Sequence, residues 1–107
     1  MKVHLKFLGS LQHSINQQHI LFQISCEKSI REIVTELTQK SQFEELKSFF
    51  SETLDLKRSL IILLNDQEIS TLEGMNTLVK ADDRIAFIPV IHGGNLILDK
   101  YLKKKSI

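Results

Sequence analysis

The segment Arg84-Ile-Ala-Phe-Ile-Pro-Val-Ile-His-Gly-Gly94 restricts this chain more than any other part of it. An apolar run of strand length passes without a break into two adjacent glycines, and the whole chain has only four. Glycine has no Cβ, so the pair extends the strand as a thin, flexible strip of backbone that fits a narrow channel. The sequence then continues past Gly94, from Asn95 to Ile107.

The residues upstream predict the rest of a sheet. From Met1 to Leu8 apolar Val3, Leu5 and Phe7 alternate with Lys2, His4 and Lys6, the pattern of a half-buried strand. Gly9 to His19 reads as polar and turn-like. Ile20, Phe22 and Ile24 alternate again, so the first two strands form an antiparallel hairpin with a long loop. Ser29 followed three residues later by Glu32 is a capping box, and Ile30, Ile33, Val34 and Leu37 follow at helical spacing, with an end near Lys40-Ser41. Phe43, Leu46, Phe49 and Phe50 are either a further helical turn or two, or a loop that covers the core.

Ser59 to Leu64 reads as a strand, Asn65-Asp66-Gln67 as a turn and Glu68-Ile69-Ser70 as a short returning strand. Leu72 and Leu78 are expected as core anchors in an irregular connection around Gly74. Ala81-Asp82-Asp83 forms a turn before the last strand, Arg84 to Ile91, and Pro89 within it predicts a sheet edge or a strand leaving the sheet. The order predicts an α+β domain in which one main helix crosses a mixed sheet of four to five strands. A right-handed crossover sets the last strand beside the first.

Composition narrows the functions. The 107 residues suit one domain, and 42% apolar with 25% charged residues fits an ordinary globular chain. A net charge of +1 gives no general attraction to nucleic acid or membrane, and Lys103-Lys104-Lys105 reads as a solvated tail. The one cysteine, Cys26, excludes an internal disulfide and a multi-cysteine metal site, and is expected to be packed or at a strand end. His4, His13 and His19 fall on an exposed face or loop, so no metal site is expected. Glu44-Glu45 reads as solvated surface and Asp82-Asp83 as turn chemistry. There is no signal-like start and no apolar run of membrane-spanning length, so a cytoplasmic location is expected. No nucleophile with its base, metal cluster or phosphate loop stands out, so no catalytic residue is expected.

The element order, ending in Gly-Gly, resembles the β-grasp or ubiquitin-like fold, and within it the sulfur-carrier branch. That branch includes the molybdopterin synthase small subunit MoaD, the thiamine carrier ThiS and the ubiquitin-related modifier. Asp83-Arg84-Ile85-Ala86-Phe87-Ile88-Pro89-Val90 resembles the MoaD pattern of acidic turn, strand and proline. Ile91-His92-Gly93-Gly94 is more similar to the ubiquitin-related modifier, and the opening Val3 to Gly9, with Phe7-Leu8-Gly9, to MoaD-type starts. The resemblance covers residues 1–94. Two departures stand out: Asp82 replaces the turn glycine many members carry before the last strand, and residues 95–107 follow the glycines at which sulfur carriers usually end.

The resemblance implies a function without a cofactor bound by this chain. An E1-like enzyme, using ATP and magnesium, adenylates the Gly94 carboxylate, with Gly93 its required neighbour. The acyl group then becomes a thiocarboxylate for a sulfur-accepting enzyme or passes to target protein lysines. Because Gly94 stands in a peptide bond to Asn95, the resemblance also implies prior cleavage between the two. By analogy with ubiquitin precursors, a JAMM-type zinc metalloprotease would make that cut. Ile88, Pro89, Val90, Ile91 and His92 are the expected partner-recognition residues. If Val3, Leu5, Phe7, Ile85 and Phe87 face the helix, then Leu8, Ala86 and Ile88 form an apolar cluster on the opposite face, joined by Ile61/Leu63 or Leu60/Ile62. Leu96, Ile97, Leu98, Tyr101 and Leu102 have the spacing of a short amphipathic helix, and the tail is expected either to fold back on that face or to serve as a peptidase recognition element. The competing reading is an uncleaved β-grasp interaction module, whose Gly93-Gly94 is only a joint to a partner-binding or oligomerising segment.

Overall fold

The computed structural model describes residues 1–53 and 60–90. Strand β1 (Lys2–Phe7) is followed by helix α1 (Ser10–Ile15) and strand β2 (His19–Gln23). A two-residue strand β3 (Lys28–Ser29) leads into the main helix α2 (Ile30–Thr38), then a 3-10 turn at Ser41–Phe43 and a short helix α3 (Glu44–Lys47). Strand β4 (Leu60–Leu64) and β5 (Gln67–Glu68) precede two 3-10 turns, Ile69–Thr71 and Gly74–Asn76, then β6 (Leu78–Val79) and β7 (Arg84–Pro89).

The five-stranded sheet has the order β2-β1-β7-β4-β5. β1 is antiparallel to β2 and parallel to β7, which is antiparallel to β4. First and last strands therefore lie side by side at the centre, as the sequence predicts, with α2 packed against one face: the β-grasp arrangement.

Local chemistry explains the main helix. Ser29 Oγ accepts from the Glu32 backbone N–H at 3.1 Å, and Glu32 Oε1 accepts from the Ser29 N–H at 2.9 Å. Both halves of the capping box are present. Ile30, Ile33, Val34 and Leu37 make the buried stripe, and the helix stops at Thr38, slightly before the expected end. The stripe meets Val3, Leu5, Phe7, Ile85 and Phe87, all with no exposed surface. Phe7 and Phe87 are register partners, and their rings stack at 5.2 Å between centroids. Phe43, Leu46, Phe49 and Phe50 are all buried in this core and arise from the 3-10 turn, α3 and the residues just after it.

Two expectations are corrected, and two that left alternatives open are decided. Gly9–His19 is not simply a turn: it holds α1, whose Leu11 and Ile15, one helical turn apart, are buried. Leu72 and Leu78 are not core anchors; they are 38% and 54% exposed, while Ile69, Met75 and Val79 are buried instead. Leu78 points outward because it alternates with Val79 in β6, which pairs with β3 in a two-stranded ribbon that the sequence did not predict. Of the two readings of Pro89, the edge falls, since β7 lies between two neighbours, and the strand leaving the sheet holds: Pro89 is its last residue, where a missing N–H interrupts little of the ladder. Cys26 is exposed, beyond the end of β2, rather than packed.

The turn into β7 is tightly held. Asp83 accepts from the Lys80 N–H at 2.7 Å and from Asn65 Nδ2 at 3.0 Å, and Asn65 Oδ1 accepts from the Arg84 N–H at 2.9 Å. Asn65 and Asp66, the two-residue link between β4 and β5, have φ of 50° and 72°, as a type I′ hairpin turn demands. Asp82 has φ 69°. The residue that stands in place of the turn glycine thus adopts the conformation glycine favours, and its backbone N–H donates to the Lys2 carbonyl at 2.7 Å.

Three stability predictions rest on these geometries. Asp82→Val is expected to be less stable than Asp82→Gly by about 1–2 kcal/mol, because Val places a branched Cβ at positive φ; urea unfolding of the two variants measures the difference. Ser29→Ala should cost about 1 kcal/mol through the lost cap. The Ser29 backbone hydrogen bond holds the Glu32 carboxyl below its ordinary range. A carboxyl so depressed adds stability above that range and loses it as pH falls through the folded value. The stability gap between the native chain and Glu32→Gln should therefore narrow as pH is lowered through the carboxylate range.

Candidate functional site

β7 ends at Pro89, half-buried Val90 follows, and the chain then continues toward the glycine pair. Ile91, His92, Gly93, Gly94 and Asn95 lie outside the described residues, as does the tail to Ile107. What the structure describes is the base from which that arm starts. β7 is bonded on both sides, to β1 from His4↔Arg84 to Phe7↔Phe87 and to β4 from Leu64↔Ile85 to Leu60↔Pro89. The Leu8 N–H also donates to the Phe87 carbonyl at 3.1 Å, carrying the ladder one residue past β1. A strand so held cannot slip by one residue without turning Phe87 out of the core.

Alternation along β7 sends Ile85 and Phe87 to the helix and Ala86 and Ile88 to the other face. There they join Leu63, with Leu8 and Ile61 packed against them. The pair that joins is Ile61/Leu63, one of the two alternatives expected. This cluster is not bare. Ile88 has no exposed surface, Leu63 is 2% exposed and Ala86 4%. Of the expected recognition residues, Ile88 and Pro89 are buried and Val90 half-buried.

The same face changes character toward the start of β7. His4, Lys6, His19 and Arg84 border a groove of about 390 Å³ that also takes in Asp66, Leu63 and Ala86. The His4 and His19 rings stack with centroids 5.3 Å apart, and His4 Nδ1 lies 3.1 Å from His19 Nε2, so one nitrogen donates to the other. Arg84 pairs with Asp66 at 3.4 Å. Sequence reading missed this cationic zone. It saw the outward Lys2, His4 and Lys6 on β1 but not their neighbours on β2 and β7, which only the register reveals. Among the described residues no group of three or more histidine, cysteine, aspartate or glutamate side chains is placed to hold a metal ion.

Chemically, the described part of the site offers a rigid strand end and a face divided into apolar and cationic zones.

Known proteins share this arrangement. Small archaeal modifier protein 3 of Haloferax volcanii is 21% identical over 94 residues, covering 88% of this chain and 100% of that protein. The solution structure of small archaeal modifier protein 1 from Methanosarcina acetivorans superposes with a TM-score of 0.72 at 28% identity, covering 87% of this chain and 96% of that one. The crystal structure of the BexX/CysO complex from Amycolatopsis orientalis contains a chain matched with a TM-score of 0.67 at 18% identity, over 86% of this chain and 99% of that one. The sequence pattern of Urm1, the ubiquitin related modifier, matches residues 2–94. The strand order, the caged terminal strand and a family match that runs to the second glycine make this chain a member of the Urm1 family of ubiquitin-like β-grasp modifiers and sulfur carriers.

Proposed function

We infer that this chain is the precursor of a ubiquitin-like modifier or sulfur carrier, cut between Gly94 and Asn95 and then activated at Gly94. The observation that supports it most is the placing of β7. A central strand, fixed from both sides, runs to within a few residues of Gly93-Gly94, and the family match stops at Gly94 while the sequence does not. A glycine arm on such a base reaches into an enzyme without disturbing the core behind it.

The chemistry proceeds in balanced steps. Water hydrolyses the Gly94–Asn95 bond, leaving the Gly94 carboxylate and the Asn95 amine; a JAMM-type metallopeptidase is the proposed agent. A carboxylate oxygen then attacks the α-phosphorus of magnesium-bound ATP in an E1-like enzyme, and pyrophosphate leaves. A target lysine amine or a sulfur donor then attacks the acyl carbon and AMP leaves, giving an isopeptide in the first case and, in the second, an acyl–sulfur intermediate on the way to a thiocarboxylate for a sulfur-accepting enzyme. This chain provides the carboxylate and the docking surface; ATP and magnesium belong to the activating enzyme. That the related CysO is found in complex with BexX is consistent with a docking role.

The prediction concerns pyrophosphate exchange. With an E1-like enzyme from the same source, a chain ending at Gly94 should support ATP–pyrophosphate exchange, whereas the chain extending to Ile107 should not. Gly94→Ala in the shortened chain should lose most of the rate. Equal exchange by the two lengths would overturn the precursor reading. Intact-mass measurement of the endogenous protein supplies the second check: a single species retaining Asn95 to Ile107 would favour the uncleaved interaction module.

A further inference from the structure

We propose that the outer edge of β2 is a docking site that takes an extended segment of another protein as an added strand, the segment carrying apolar residues at its centre and carboxylates at its ends. The proposal rests on backbone pairing, exposure and charge, and is independent of cleavage at Gly94.

β2 and β5 are the two edges of the sheet. An edge strand presents unpaired N–H and C=O groups, and proteins blunt such edges by shortness, charge, proline or a bulge. β5 is blunted: it has two residues, Gln67–Glu68, and one is charged. β2 is not. It runs His19-Ile-Leu-Phe-Gln23 without lysine, acid, proline or glycine, and its register with β1 is unbroken from Lys2↔Gln23 to Lys6↔His19. The Phe7 N–H donates to the Gln18 carbonyl and the Ile24 N–H to the Met1 carbonyl, each at 2.8 Å. Antiparallel alternation then turns the backbone groups of Ile20 and Phe22 toward β1 and those of His19, Leu21 and Gln23 outward. Among the described residues no backbone group pairs with these outward ones. They form a ready template for main-chain hydrogen bonds to an added strand.

The surroundings of the edge define what the segment carries. On the helix side a groove of about 350 Å³ between β2 and α2 is lined by Ile20, Phe22, Leu37 and Phe43. Lys40 Nζ stands over the Phe22 ring, 5.8 Å from its centroid. On the other face Leu21 is 54% exposed. There the register sets Leu21 beside His4, His19 beside Lys6 and Gln23 beside Lys2. Apolar side chains therefore suit the centre of the segment, opposite Ile20, Leu21 and Phe22, and carboxylates suit its ends, toward Lys2, His19 and Lys40. The one carboxylate among the described residues that border the groove, Glu36, is already paired with Lys28 at 2.8 Å. The same balance disfavours a second copy of this chain, which would bring Lys2, Lys40 and His19 to a junction that already holds them. β1 lies between β2 and β7, so a strand added here leaves β7 and its exit at Val90 untouched.

The test titrates the peptide acetyl-Glu-Asp-Val-Ile-Val-Asp-Glu-amide into the isotope-labelled full chain at low salt and follows backbone amide signals by NMR. The amides of His19, Leu21 and Gln23 should shift and gain protection from hydrogen exchange, while those of Gln67 and Glu68 on the other edge stay in place. A peptide with lysine in place of each acid should bind roughly tenfold more weakly or worse. Lys40→Glu should weaken the acidic peptide and strengthen the basic one. Gln23→Pro removes one outward N–H at a place where an edge strand tolerates proline, and should weaken binding about tenfold while amide signals away from β2 keep their positions. Four results would overturn the proposal: no shift on β2; equal binding of the acidic and basic peptides; β2 amides that shift with the concentration of this chain alone, which would assign the edge to a second copy; or outward amides protected in the free full chain and unprotected in a chain ending at Gly94. None of these readouts uses the activating enzyme, so failure here leaves the precursor reading standing.

Discussion

The structure depends on one constraint: β7 is paired on both sides, with β1 over Arg84–Phe87 and with β4 over Ile85–Pro89. Its parallel pairing with β1 and antiparallel pairing with β4 fix which of its side chains face the helix and which face away. The Phe7–Phe87 stack sets that register from within the core, and the Asn65–Asp83–Arg84 hydrogen bonds set it from the turn. The strand that leads toward Gly93-Gly94 is thereby held from both sides, as β1 beside it is.

Much of this was legible because it obeys simple periodicities. Val3, Leu5 and Phe7 at period two, Ile30, Ile33, Val34 and Leu37 at helical spacing, and the Ser29/Glu32 box each follow from one local rule, and tertiary packing agrees with all three. The failures have an equally local cause. Helix α1 offers only Leu11 and Ile15 as signal, too short a stretch to show a period. Strands β3 and β6 are two residues each, and only their partners define them. Leu72 and Leu78 were placed by hydrophobicity alone, but the two 3-10 turns around Gly74 aim Ile69 and Met75 inward and leave the leucines in water.

The sheet face away from the helix was legible in part. Alternation placed Leu8, Ala86 and Ile88 together, since each strand's phase was known. It did not reveal that His4 and His19 meet, because that contact is diagonal across a hairpin, or that Arg84 completes the cationic zone beside them. Nor does a sequence tell whether an apolar cluster is covered; that depends on the route of the chain. The resulting face pairs an apolar zone with a charged one.

The side-by-side placement of β1 and β7 has a consequence for how the molecule comes into being. Contacts between segments so far apart in sequence form late, because the intervening chain must be ordered first. On the ribosome, β1 and α2 emerge without the strand that completes their core, and the fold closes only once β7 has emerged in turn. Until then the apolar faces of β1 and α2 have no third partner, so the last strand of the sheet to be made is the one that ends their exposure.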